Sequence, residues 1–133
     1  MATTADYIVM TDEASTIVPN PGAGELGEKR FTIPLPNAIE LNSNRQRPIL
    51  TFKAWTESGT INAEIDVNAR RVRNLPGFQA TSERSLHEVV DPDDLRAGAN
   101  NDLLFRVVGG DRGAKLYISD VVLWFQREGF GPN

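Results

Sequence analysis

Short runs of alternating apolar and polar residues recur along the chain, and turn residues separate them. In residues 61–67 every second side chain is apolar, which predicts a strand with one buried and one exposed face. No stretch shows the sustained apolar spacing of an amphipathic helix. The pattern predicts strands at residues 7–10, 15–18, 31–35, 48–55, 60–67, 85–90, 103–108 and 115–126.

The segments between these strands predict the connections. Residues 57–59 contain a glycine and are typical of a hairpin loop joining strands 48–55 and 60–67. The loop at residues 109–113 predicts a second hairpin before the last strand. Within that last strand the apolar positions change parity, which predicts a β-bulge near Asp120.

One short helical turn is predicted at residues 91–96. Asp91 has the character of an N-cap, and Pro92 suits the first helical position. Gly98 follows and can adopt a positive φ. The amides of Asn100 and Asn101 are expected to satisfy backbone groups before the next strand, so this stretch has a structural role and is not a ligand site.

About eight strands and one helical turn in 133 residues predict an all-β protein. Length and strand spacing favour a single-domain antiparallel β-sandwich of jelly-roll type over residues 1–133. Hydrophobic residues make up 40% and charged residues 24%, which is typical of a globular chain and not of a disordered one.

Charge and composition exclude several classes of partner, bond and location for this protein. The net charge of -4 opposes attraction to nucleic acid, and the absence of cysteine excludes disulfides and thiolate metal sites. No apolar run approaches the roughly 20 residues of a membrane span. The N-terminal residues lack the pattern of a Sec-type leader, so we expect a cytoplasmic protein or one exported without such a leader.

Three motifs resemble those of the galactose-binding-like β-sandwich superfamily. Residues 65–72 (IDVNARRV) are similar to its strand and "VNG-x-x-V" turn, with Ala69 in place of the frequent Gly. Residues 95–105 (LRAGANNDLLF) are similar to its "L-x-x-G-x-N-x-L/I" turn and strand, and residues 116–123 (LYISDVVL) to its closing strand "I-x-I-D-x-V-x-L". The resemblance spans about residues 61–126 and implies a jelly roll. Because the superfamily includes many carbohydrate-binding modules, it also implies a glycan or small polar ligand.

The same resemblance implies one metal site. Some carbohydrate-binding members hold a structural calcium ion with the carboxylate that matches Asp120 and an acid near the N-terminus, for which Glu13 or Asp6 is available. The alternative role for Asp120 is a carboxylate at a bulge that pairs with a cation or with backbone.

Aromatic and charged side chains near loops are the candidate ligand-binding residues. The ring of Trp55 can stack on the apolar face of a sugar while its neighbours bind hydroxyl groups. Trp124 is expected in the core, because it lies in a hydrophobic terminal strand. Arginines after residue 69 form a basic loop that can bind a carboxylate or phosphate. The candidate set is Trp55, Glu57, Arg71, Arg73, Asp111 and Arg112.

Several apparent motifs are better explained by structural roles than by catalysis or nucleotide binding. Residues 22–27 match G-x-G-x-x-G, but prolines precede them and a strand follows, so this is a surface loop. Glu64 and Asp66 project from the same strand face and are expected to be solvated. The single histidine, His87, has no local nucleophile motif around it.

These patterns predict a non-catalytic binding module. It would recognise a glycan or small polar ligand through loops at one end or through a sheet face. The first alternative is a structural or protein-interaction subunit of a larger bacterial or phage-like assembly, and such a chain could form a homo-oligomer. The second alternative is an uncharacterised hydrolase, for which the sequence offers no convergent set of acid, base and nucleophile.

Overall fold

Nine strands and one helical turn form two antiparallel sheets in a computed structural model, which describes residues 3–37 and 47–128. The first sheet has five strands and the second has four. The strands are β1 (Thr3–Thr11), β2 (Ser15–Ile17), β3 (Glu28–Pro34), β4 (Ile49–Glu57), β5 (Ile61–Val67), β6 (Arg70–Phe78), β7 (Arg84–Val89), β8 (Asn100–Gly110) and β9 (Lys115–Glu128).

The five-stranded sheet has the order β1-β9-β4-β7, and β2 also pairs with β9. The four-stranded sheet has the order β3-β8-β5-β6. The predicted all-β antiparallel sandwich of jelly-roll type is therefore confirmed. Among the described residues no helix is long and apolar enough to cross a membrane.

The core lies between the two sheets, where alternate residues of each strand face inward. Phe52 of the five-stranded sheet packs edge-on against Phe105 of the four-stranded sheet, with ring centroids 5.2 Å apart. Both rings are almost fully buried, and branched aliphatic side chains surround them. The largest of these are Ile17, Ile33, Leu50, Ile61, Ile65, Leu103, Leu116, Ile118 and Leu123.

Both predicted hairpins are wrong. Strands β4 and β5 belong to different sheets, so residues 58–60 cross from one layer to the other. The loop between β8 and β9 makes the same crossing in the opposite direction. A short glycine-containing loop serves a layer crossing as well as a hairpin, and local sequence does not distinguish the two.

The basic stretch predicted as a loop is in fact strand β6, an edge strand of the four-stranded sheet. Its Pro76 and Gly77 lie where the pairing with β5 is irregular, and Gly77 has φ +58°. Proline and glycine are typical of edge strands and bulges. Because both residues interrupt the alternation of apolar and polar side chains, the sequence pattern did not predict this strand.

The predicted bulge in β9 is confirmed. Between Thr51 and Lys53 of β4, strand β9 passes from Val122 to Ser119 and so contains one residue more than its partner. Asp120 in this bulge has φ +50°. Both halves of β9 therefore turn their apolar side chains inward, although the two halves have opposite parity.

The predicted helical turn is also confirmed, as a single 3-10 turn at Pro92–Asp94. The Asp91 carboxylate caps it by accepting a hydrogen bond from the Asp93 amide at 3.0 Å. Gly98 follows with φ +67°. The structural amide, however, is Asn101 and not Asn100, because Asn101 is 1% exposed whereas Asn100 lies at the surface.

Asn101 connects four segments through hydrogen bonds. Its amide nitrogen donates to the carbonyls of Ile33, Arg96 and Ala99 at 3.3, 3.0 and 3.1 Å. Its oxygen accepts from the Arg96 amide and from the Asn68 side chain, both at 2.8 Å. This buried residue thus joins the helical turn, β3, β8 and the turn between β5 and β6.

We expect Asn101→Ala to lower the free energy of unfolding by about 3 kcal/mol, because buried backbone groups of three segments lose their partner. Urea unfolding followed by tryptophan fluorescence measures the change. The matched control is Asn100→Ala at the exposed neighbouring position, which should change stability by less than about 0.5 kcal/mol. Equal effects of the two variants would contradict this role for Asn101.

The turn between β5 and β6 contains backbone strain. Asn68 and Ala69 have φ values of +49° and +66°, and only asparagine and glycine adopt this region readily. Ala69→Gly should therefore stabilise the protein by roughly 1 kcal/mol. Gly77 has φ +58° and open space around it. The reverse change there, Gly77→Ala, should destabilise the protein by a similar amount. Thermal unfolding of the two variants tests whether their effects have opposite signs.

Candidate functional site

The outer face of the five-stranded sheet carries partly exposed aromatic side chains at both of its ends. Trp55 and Tyr117 lie opposite each other on β4 and β9, with rings parallel to within 9° and centroids 5.4 Å apart. We call this pair the aromatic platform. Strand β7 begins opposite Ala54, so no strand of the described chain lies beside Trp55 on the side away from Tyr117.

Hydrogen bonding fixes the orientation of the aromatic platform. The Tyr117 hydroxyl donates to the Glu57 carboxylate at 2.5 Å, and Glu57 lies two residues beyond Trp55 on β4. The sequence-predicted residues Trp55 and Glu57 are therefore brought together, and Tyr117 is the partner that sequence reasoning missed. The signal that could have identified it is its alternation with the apolar residues Leu116 and Ile118, because alternate residues of a strand face opposite sides of the sheet.

A polar depression of about 290 Å³ lies beside the platform, in the centre of the same face. Its outward-facing side chains come from three neighbouring strands and combine donors, acceptors and one histidine. The polar residues are Thr51, Lys53, Ser85, His87 and Asp120, and the apolar residues Phe52, Leu86 and Val122 line the rest of the depression. The Lys53 amine lies 3.8 Å from both Asp120 and Glu83, so a cation and two carboxylates converge there.

An apolar row crosses the other end of this face. It consists of Tyr7, Trp124, Ile49 and Val89, which lie in register on β1, β9, β4 and β7. These side chains are between 38% and 54% exposed. Trp124 is therefore not in the core as predicted, because the bulge at Asp120 turns Val121, Leu123 and Phe125 inward instead. Its indole N–H donates to the Thr51 hydroxyl at 2.9 Å.

A larger cavity, of about 410 Å³, lies between the β2–β3 and β8–β9 loops at the platform end of the sandwich. We call it the loop-end cavity. Arg112 lines it as a polar rim residue, together with Asn20, Glu25 and Lys115. Asp111 also borders it, but its carboxylate accepts hydrogen bonds from the Thr60 amide and hydroxyl at 2.9 and 3.2 Å. Asp111 therefore has a structural role in joining two loops.

Arg71 and Arg73 lie apart from these sites, on β6 of the four-stranded sheet. The Arg71 guanidinium contacts Asp66 at 2.5 Å and also pairs with Glu64, and these partners raise the pKa of Arg71 further above its usual value. Arg73 binds Glu88 at 2.7 Å and so links the edges of the two sheets. These arginines are paired within the protein, which leaves little charge for a ligand.

Glu64 and Asp66 are not solvated as expected. Asp66 is 8% exposed, and both carboxylates pair with Arg71 and Arg106. The structure thus places them in an ion-pair network on the outer face of the four-stranded sheet. They stabilise that face together and do not flank an open cleft.

The described donors do not assemble a calcium site at Asp120. One Asp120 oxygen lies 3.8 Å from Lys53 and accepts from the Ser119 hydroxyl at 2.9 Å. Glu13 lies in the short β1–β2 connection next to the bulge, whereas Asp6 pairs with Phe125, farther along β9. Among residues 3–37 and 47–128 no group of three His, Asp or Glu side chains could hold a metal ion, and calcium prefers six to eight oxygens. Calcium binding stays a prediction.

The hydrogen bond to Glu57 raises the pKa of the Tyr117 hydroxyl above its usual value of 10.0, and burial and the negative charge of Glu57 add to the effect. The protonated tyrosine is the form that donates. This contribution to the platform is therefore complete below about pH 10 and is lost as the pH rises through the raised pKa.

Glu57→Gln should lower the pKa of Tyr117 towards its usual value, because glutamine accepts the hydrogen bond without a negative charge. Absorbance of the phenolate during an alkaline titration measures this, and the chain has only two tyrosines to resolve. Glu13→Gln, at an exposed position outside the platform, is the control and should leave the curve unchanged. Identical titration curves for the wild type and Glu57→Gln would contradict the platform geometry.

Comparison with known proteins finds solved structures that are similar to this chain, at low sequence identity. No family model matches the chain, and no curated protein matches it. A CBM36 carbohydrate-binding module in complex with calcium and xylotriose is similar, with 10% identity, a TM-score of 0.47, and coverage of 94% of this chain and 99% of that chain. A CBM4 module is similar with 16% identity and a TM-score of 0.40, over 91% of this chain and 92% of that chain.

Proposed function

We propose that this protein is a non-catalytic module that binds a glycan on the outer face of the five-stranded sheet. The observation that carries this proposal is the stacked pair of Trp55 and Tyr117 beside the polar depression. A sugar ring has apolar C–H faces and a polar rim. A site with a flat aromatic surface and adjacent donors and acceptors complements both.

The polar depression supplies the groups that hydroxyls require. Asp120 can accept hydrogen bonds and Lys53 can donate them, while the hydroxyls of Thr51 and Ser85 do both. The platform itself is held by its mutual stacking and by the Glu57 hydrogen bond. A ligand that stacks there pays little entropy for ordering these side chains.

The same geometry supports a binding role without catalysis. Ser85 and His87 project from one face of β7, with Cα atoms about 7 Å apart, and the described structure contains no hydrogen bond between their side chains. A nucleophile needs its base within hydrogen-bond reach. The Asp120 carboxylate lies 3.8 Å from the Lys53 amine, and Glu83, the other acid at that distance from Lys53, does not line the depression.

Affinity electrophoresis through gels that contain soluble xylan, glucomannan, galactan or polygalacturonate tests this proposal. The wild type should be retarded by at least one of them. Trp55→Ala should weaken that retention at least about tenfold, or about 1.4 kcal/mol, because the stacking surface is lost.

Trp124→Ala, at the other exposed tryptophan, is the matched control and should keep the retention of the wild type. Melting temperatures of both variants confirm that they are folded. Unretarded migration of the wild type in every gel would overturn the proposal, as would equal losses from the two tryptophan substitutions.

A second candidate function, a protein-interaction module, is favoured by the apolar row alone. Four partly exposed apolar side chains in register across four strands form the kind of patch that marks protein interfaces. Light scattering at increasing concentration tests self-association through this row. A dimer that Trp124→Lys converts to monomer would support an interface between copies, and a monomer at all concentrations would leave this candidate without support from self-association.

A further inference from the structure

The loop-end cavity lies close to the aromatic platform along β9. Lys115 lies two residues before Tyr117 on the same face of β9, about 7 Å away between Cα atoms, and it also lines the cavity. A smaller cavity of about 190 Å³ adjoins the loop-end cavity and shares Val18, Glu25 and Lys115 with it. It is also lined by Thr16, the residue opposite Tyr117 on β2. The platform and the loop-end cavity are therefore neighbours.

Two cations line the loop-end cavity without an ion pair to any described residue, Arg112 and Lys115. Lys29 and the exposed Arg84 and Arg96 also form no described ion pair, whereas Arg30, Arg71, Arg73 and Arg106 each form at least one. What distinguishes Arg112 and Lys115 is their position in one cavity.

The two acids that line the cavity, Asp111 and Glu25, do not neutralise both cations. The Asp111 carboxylate binds Thr60, as described above. One Glu25 oxygen accepts a hydrogen bond from the Gly22 amide at 2.9 Å. Glu25 therefore supplies one negative charge beside two positive ones. The floor of the cavity is apolar, formed by the buried residues Val18 and Ala114. An anionic group attached to a partly apolar body complements this combination.

We propose that the ligand of the platform is an acidic glycan, whose carboxylate or sulfate group enters the loop-end cavity between Arg112 and Lys115. This inference rests on the proposed function and assigns it a ligand class. The sugar that stacks on Trp55 and Tyr117 and the charged group of a neighbouring sugar would be held together. Recognition of the anion would come from charge-assisted hydrogen bonds at the cavity rim.

The test compares the wild type with Arg112→Gln/Lys115→Gln in gels containing polygalacturonate, dextran sulfate or neutral galactan. The wild type should be retained most strongly by one of the two acidic polymers, and which of them retains it identifies carboxylate or sulfate as the group. The double variant should lose about tenfold in that retention while its interaction with galactan is unchanged. Glu25→Gln should strengthen acidic retention, because it removes the opposing charge and keeps an acceptor for Gly22.

Arg84→Gln/Arg96→Gln is the matched control, since it removes the same charge from exposed arginines that line none of the described cavities and form no described ion pair. If it weakens acidic retention as much as the cavity variant does, the attraction is non-specific and the inference is overturned. Retention by galactan alone that depends on Trp55 would also overturn the inference but keep the proposed function. Migration without retardation in all gels would overturn both.

Discussion

The single extra residue at Asp120 determines which side chains the longest strand presents to each side of the sandwich. Strand β9 pairs with β1, β2 and β4, so the whole five-stranded sheet depends on its register. Before the bulge Leu116 and Ile118 face inward, and after it Val121 and Leu123 do. A strand without the bulge would have to expose one of these halves, because a shift of one residue reverses every side chain. The same bulge turns Tyr117 and Trp124 to the outer face.

The two outer faces of the sandwich consequently differ in kind. On the four-stranded sheet, arginine and carboxylate side chains pair with one another and cover Leu104, which is only 5% exposed on that face. Its arginine and carboxylate side chains are largely paired within the protein and offer little charge to a ligand, although the buried Nε of Arg106 has no hydrogen-bond partner among the described residues. On the five-stranded sheet, the side chains of Tyr7, Ile49, Val89 and Trp124 are between 38% and 54% exposed. This sheet therefore presents apolar surface that a ligand or partner can reach.

Features that depend on neighbouring residues could be predicted from the sequence, whereas the assignment of strands to sheets could not. The cap at Asp91, the positive φ of Gly98 and the parity change near Asp120 depend on a few neighbouring residues, and each was anticipated. Sheet membership depends on residues far apart in sequence, which is why both crossings were interpreted as hairpins. Trp124 was misplaced because Val121, Val122, Leu123 and Trp124 are all apolar and leave the buried parity undecided. Trp55 was identified as a candidate, but its partner Tyr117 lies 62 positions away and becomes a neighbour only through the β4–β9 register.

Of the two layer crossings, the one between β8 and β9 lines the loop-end cavity, and the one between β4 and β5 contacts that loop. The crossing after β4 and the crossing after β8 meet where the Asp111 amide donates to the Thr60 carbonyl at 2.9 Å and the Asp111 carboxylate accepts from Thr60 in return. Gly59 is required there, since a Cβ atom would lie 2.6 Å from the Asp111 carboxylate. With Asp111 held in this way, its charge is turned towards the neighbouring loop and Arg112 is left at the cavity rim without a carboxylate partner in the described chain. Two hairpins would have kept each loop within its own sheet, and the cations would not have met beside the aromatic platform.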